Sequence, residues 1–223
     1  MFDKSTLNFF AELSENNDRE WFLSHKAEYD KIVEKAQGLV GQWIAGLGEI
    51  DPAILDNEPK KAIFRIYKDV RFSKDKTPYK THIGMAIGRG GRTAKWAGWY
   101  LHIEPGNKSF MAAGKWAPEA NELKTIRQEI DYNLEEFLSA TQNGAMKSTF
   151  GELDREYALK KAPKDYDPEN PAIEILKLKS FTFSKIYTDE EVLSKNFSQQ
   201  VISDSKLLYP FIQFLNRALE DIS

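Results

Sequence analysis

The sequence predicts an α+β fold in which a mostly antiparallel sheet is packed between N-terminal and C-terminal helices. Three observations carry that prediction. Apolar residues recur at helical spacing over the first 50 residues, the period falls to two around a glycine-centred hairpin between 60 and 116, and helical spacing broken by short strands returns from 118. The 223 residues, 41% of them hydrophobic, suffice for a proper core and are read as a single domain, 1–223. Its parts are a helical segment 1–50, a central sheet and basic loop 60–116, and a helical segment with additional strands 118–223.

Leu7, Phe10 and Leu13 share one side of a first short helix capped by Ser5, which the polar run SENND closes. Asp18 caps a longer helix with apolar residues from Trp21 to Leu47. Gly38, Gly41, Gly46 and Gly48 weaken its later turns, and Asp51 with Pro52 ends it. His25 falls mid-helix among polar residues, a surface position.

In IFRIY, Phe64 and Ile66 face one way while Ile63, Arg65 and Tyr67 face the other, so a strand is expected with Arg65 on a sheet face. DVRFSKDKTPYK breaks the alternation: Ser73, Asp75 and Thr77 make side-chain turns, and Pro78 holds Thr77 extended. THIGMAIG and AGWYLHIEP then flank RGGRTAKW as a hairpin. Burying Ile83, Met85 and Ile87 together with Trp99, Leu101 and Ile103 fixes the pairing parity. His82, Gly84, Tyr100, His102 and Glu104 then share the opposite face, where Gly84 and Ala86 leave room for a ligand or a loop to approach.

KSFMAAGKW adds a strand. Pro118 starts a helix with Leu123, Ile126 and Ile130 inward, and Asn133 caps the next. REYALKKAP reads as an edge strand stopped by Pro163, and Asn170 with Pro171 opens a further helix. FTFSKIY is a strand, Thr188 with Glu191 a capping box, and YPFIQFLNRALEDI a closing amphipathic helix.

Net charge is −3, but residues 60–95 hold eleven Lys and Arg against two Asp, a local +9 that leaves −12 for the remainder. Such a focused patch attracts phosphates, carboxylates or nucleic acid, while the acidic body disfavours a long polyanion. No apolar run approaches the roughly 20 residues that span a bilayer, and the N-terminus lacks the order of a secretory signal. A soluble, cytoplasmic protein without membrane partners is expected. With no cysteine, disulfides, thiol nucleophiles and thiolate metal sites are excluded.

The blocks NNDREWF, FRIYKDVRFSKDKTPYKTH, GWYLHIEPG, KAPKDYDPENPAIEILKLKSF and FLNRAL resemble the family called domain of unknown function 2461, in order and over nearly the whole chain. The resemblance implies one unit and prescribes no reaction. Its motif positions are Asn17, Arg19, Trp21, Phe22, Arg65, Asp69, Arg71, Phe72, Lys74, Asp75, Lys76, Pro78, Tyr79, Lys80, His102 and Glu104.

Three chemical readings stand side by side. Arg65, Arg71, Lys74, Lys76, Tyr79 and Lys80 form a ligand-binding set for a small phosphate- or carboxylate-bearing ligand, with Phe72 placed as a core anchor and Arg71 able to pair with Asp69 or Asp75. The same cations and rings would suit nucleic acid. His102, Glu104 and His82 are the catalytic candidates of an enzyme reading, able to move protons or hold a metal, although the spacing alone assigns no metal and no cofactor. A module that docks a protein electrostatically is the third. The sequence leaves oligomeric state open.

Overall fold

The computed structural model describes residues 1–220. Strands β1 (Ile83–Gly88), β2 (Gly98–Ile103), β3 (Ser109–Lys115) and β4 (Phe181–Tyr187) form one antiparallel sheet in chain order. Helices α1 (Lys4–Glu15), α2 (Arg19–Ser24), α3 (Lys26–Gly48) and α4 (Pro59–Ala62) precede it. Between β3 and β4 lie α5 (Ala120–Tyr132), α6 (Leu134–Thr141), α7 (Gly144–Phe150) and α8 (Ile173–Leu176), and after β4 come α9 (Asp189–Leu193), α10 (Phe197–Leu207) and α11 (Tyr209–Glu220). The class is α+β with helices at both ends. No helix among the described residues is long and apolar enough to cross a membrane.

The sheet has two unlike faces because its side chains alternate. Ile83, Met85, Ile87, Trp99, Leu101, Ile103, Met111, Ala113, Phe181 and Phe183 all point to one side and are buried. Helices α3, α10 and α11 pack against the sheet and one another there: Phe183 meets Phe211 edge-on at 5.1 Å, Trp43 Nε1 donates to Ser205 Oγ at 2.8 Å, and Trp99 Nε1 donates to the Ser205 carbonyl at 3.1 Å. Each large ring thus fills volume while its polar edge stays bonded. The β1–β2 register pairs Gly84 with His102 and Ala86 with Tyr100, the parity expected from burying the two apolar sets together.

Local chemistry departs from the sequence expectations at several points. Asp3, not Ser5, caps α1: its Oδ1 accepts from Thr6 N at 3.3 Å and its other oxygen from Lys35 Nζ at 2.7 Å, an acceptor role that a carboxylate serves better. Asp18 does cap a helix, but α2 stops at His25, whose Nδ1 lies 2.8 Å from the Trp21 carbonyl while its ring stacks on Trp21 at 4.0 Å. His25 is therefore a junction between two helices rather than a mid-helix residue. IFRIY is extended but makes only the isolated bridges Ile63–Met85 and Tyr67–Tyr79, because Ile66 turns into the core and leaves Arg65 and Tyr67 to solvent instead of on a sheet face.

REYALKKAP forms no strand. Asp154, just before it, accepts from the Thr182 and Ser184 hydroxyls, each at 2.7 Å, and sends the chain over the sheet's second face instead of along its edge. Asn170 Oδ1 accepts from Ala172 N at 2.8 Å, yet α8 begins at Ile173, so Pro171 belongs to the turn ahead of it. The expected closing helix is present to Glu220; its last positions, Asp221 and Ile222, lie outside the described residues.

Candidate ligand-binding site

The second face of the sheet carries small residues where a packed sheet would carry large ones. Ala86 and Gly88 on β1, Gly98 on β2, and Ala112 and Gly114 on β3 floor a cavity of about 780 Å³. Phe64, Trp96, Tyr100, Phe110, Trp116 and Tyr157 wall it, and charged groups of both signs stand at its rim: Arg92, Arg155 and Lys179 against Asp154 and Glu156. The glycines have a backbone reason to be there. A Cβ on Gly98 would lie 2.5 Å from the Ile87 carbonyl oxygen, and Gly114, at φ +135°, would place one 1.9 Å from that of Phe181. Ala86 and Ala112 have no such excuse, and Trp116 and Tyr157 stay exposed although they flank an apolar floor.

Beyond Tyr100 the same face continues into a polar chain. The Tyr100 hydroxyl lies 3.0 Å from His102 Nδ1, and His102 Nε2 lies 2.8 Å from Glu104 Oε2. A neutral ring that donates from Nε2 to the carboxylate and accepts at Nδ1 from the phenol satisfies both contacts. Gly84 makes room for that phenol, since a Cβ there would sit 2.7 Å from the Tyr100 oxygen; the space expected at Gly84 for a ligand or a loop is taken by a neighbouring side chain. The His82 ring lies 4.0 Å from that of His102, so the three sequence candidates for catalysis do converge.

Electrostatics keep this cluster neutral at its histidines. His82 is pushed down to about 3, first by burial and then by His102, Lys80 and Lys68, and burial also lowers His102 against the opposing pull of Glu104. Burial and Glu104 push the Tyr100 phenol up to about 12, so it is a proton donor and not a phenolate. An unfolded histidine titrates near 6.5, so with its depressed folded value His82 contributes stability that is full above about pH 6.5 and is lost as pH falls toward 3. In chelator-containing buffer the urea midpoint is expected to fall steadily between about pH 6.5 and about pH 4.5, and His82→Gln to flatten that slope; an unchanged slope in the variant contradicts the assignment.

The six ligand-binding candidates fare differently. Arg71 is held by Asp69, with Nε and Nη2 at 2.9 and 2.6 Å from its carboxylate, and Lys76 Nζ donates to the Val70 carbonyl at 2.9 Å. Tyr79 is buried and stacks on Phe22 at 4.2 Å, while Asn17 both donates to and accepts from its backbone at 3.0 Å. That clamp explains how NNDREWF and TPYK cooperate: one fixes the end of the loop made by the other. Lys74 and Arg65 are exposed. Phe72, expected in the core, is 95% exposed, because the side-chain turns Asp69–Arg71, Ser73–Asp75 and Asp75–Thr77 shape a loop too short to fold its tip back inward.

Lys80 alone of the six reaches toward the cavity: its Nζ donates to the Arg65 carbonyl at 3.0 Å and sits 5.6 Å from the centre of Phe64, whose ring also meets Arg92 at 4.8 Å. Burial and the like charges of Arg65 and Arg92 hold Lys80 below the ordinary lysine value. The site residues that sequence reasoning missed are Arg92, Ala112, Trp116, Tyr157 and Lys179. A signal existed for the floor, since Gly88, Gly98 and Ala112 stand next to the large apolar residues Ile87, Trp99 and Met111 on three strands.

Neither a curated protein nor a solved structure matches the chain. The family described as "Conserved hypothetical protein (DUF2461)" matches residues 5–214.

Proposed function

The chain belongs to the DUF2461 family, whose description prescribes no chemistry, and we propose on its geometry that the open face of the sheet binds a small ligand with a flat apolar body and an anionic group. The observation that carries this reading is the cavity itself: a floor of Ala and Gly, walls of six aromatic rings, and Arg92 at the mouth beside Phe64. Concave sites of this size, mostly apolar with few polar anchors, are where small molecules bind. Arg92 Nε is occupied by the Lys61 carbonyl at 2.6 Å, which aims the guanidinium and leaves its terminal nitrogens for a carboxylate or phosphate. Lys80 and Arg65 reinforce the positive field from behind Phe64.

Phenyl phosphate supplies both halves of such a ligand. Its addition is expected to change tryptophan fluorescence, because Trp96 and Trp116 wall the cavity, and Arg92→Ala is expected to weaken binding by about tenfold or more, the worth of a charge-assisted hydrogen bond. Equal affinity in the variant, or no response at millimolar phenyl phosphate, overturns the reading.

One observation favours a second reading. Phe72 stands nearly fully exposed beside Arg71 and Lys74, the pairing of ring and cation with which proteins hold single-stranded nucleic acid. Binding of an oligonucleotide that weakens steeply with salt and is lost in Phe72→Ala would support it; an affinity indifferent to Phe72 would remove it.

A further inference from the structure

We propose that His82, His102 and Glu104 form a binding site for one divalent transition-metal ion of the zinc class. The site stands apart from the cavity: none of the three lines it, and the inference holds whether or not an anion binds there.

Strand geometry assembles the three ligands. The register that places Gly84 opposite His102 ends at Ile83 and Ile103; His82 and Glu104 are the next residue on each chain, so alternation brings 82, 102 and 104 to the open face. One donor atom from each lies within 4.8 Å of the other two. Tetrahedral bonds of ~2.1 Å put ligand atoms ~3.4 Å apart, so small side-chain rotations close the difference. Two imidazoles and one carboxylate suit zinc and its neighbours rather than magnesium or calcium, and they leave a coordination position for water or an anion.

Two further observations point to an ion. Neither ring nitrogen of His82 has a hydrogen-bond partner among the described residues, although the half-buried ring lies tilted 4.0 Å from that of His102, so no bond has to be broken for His82 to ligate an ion. His102 already has its outer support. When the ion takes Nε2, the ring proton moves to Nδ1 and donates to the Tyr100 oxygen, the bond that orients a metal-bound histidine.

Nearby charges are mixed. Glu104 attracts the ion, while Lys108, 3.8 Å from Glu104, and Lys80 and Lys68 oppose it. Two of these ammonium groups are held elsewhere, Lys68 by Asp75 at 2.9 Å and Lys80 by the Arg65 carbonyl at 3.0 Å.

The chain holds three histidines, so the controls are clean. Untagged, chelator-stripped full-length protein is titrated with Co²⁺, followed by its visible absorption, and with Zn²⁺ by equilibrium dialysis. One ion per chain is expected, with a cobalt spectrum of low coordination number. His82→Ala, His102→Ala and Glu104→Gln should each weaken binding by at least tenfold, Tyr100→Phe by roughly 10- to 100-fold as befits a supporting partner, and His25→Ala not at all. Half-buried His82 is the variant to rely on should His102→Ala fail to fold. No bound ion at micromolar Zn²⁺, or full affinity in His82→Ala, overturns the proposal.

Discussion

Gly114→Ala is expected to be among the most destabilising single-methyl additions in this chain. The new Cβ would lie 1.9 Å from the Phe181 carbonyl oxygen and 2.9 Å from its carbon, and both are backbone, so no side chain can step aside. The residue also holds φ at +135°, a conformation that side chains rarely adopt. Separating β3 from β4 to make room breaks ladder bonds beneath the cavity floor, where Gly114 pairs with Thr182. The cost is at least ~3 kcal/mol, from strain and lost pairing together, and the melting temperature should fall by roughly 10 °C in a chain of this length. Gly38→Ala is the control: it meets nothing within 4 Å on α3, and alanine there should add about 1 kcal/mol through helix propensity. If both variants melt alike, the account of the floor glycines is wrong.

Ala112→Trp should have the largest effect on ligand binding. Ala112 sits between Tyr100 on β2 and Ser184 on β4, directed into the cavity rather than into the core. No backbone constraint requires it to be small, and an aromatic residue on an open strand face is conformationally at ease. The indole would occupy the centre of the ~780 Å³ space, so phenyl phosphate affinity should fall by more than about tenfold while stability changes by less than ~1 kcal/mol. Loss of binding with the fold intact would assign the small floor to ligand uptake. Retained binding would place the ligand elsewhere.

These two substitutions mark where the sequence was legible and where it was not. The sheet was readable because strict alternation in IGMAI and GWYLHI admits only one burial parity, and that parity carried His82, His102 and Glu104 to a common face with no further information. The capping box at Thr188 and Glu191 was readable for the same local reason. What failed depended on long-range partners. Nothing within REYALKKAP shows that Asp154 will be claimed by two hydroxyls of β4 and lead the segment across the sheet. Charge counting drew attention to residues 71–76, where Arg71 and Lys76 turn out to be spent on shaping their own loop. Arg92, an apparently ordinary hairpin residue, reaches the cavity mouth because the Lys61 carbonyl fixes its guanidinium beside Phe64. The glycines of the floor lay inside segments read simply as strands, and only the cross-strand distances separate those imposed by the backbone from the alanines that are not.

An amide-resolved NMR titration with phenyl phosphate tests the central claim most directly, since it reports the position of a ligand without presuming it. Ligand uptake on the open face predicts shifts at the amides of Ala86, Gly98 and Ala112 and at the indoles of Trp96 and Trp116, all bordering one cavity. Shifts confined to the loop from Arg71 to Lys76, or no shifts at millimolar ligand, would contradict it.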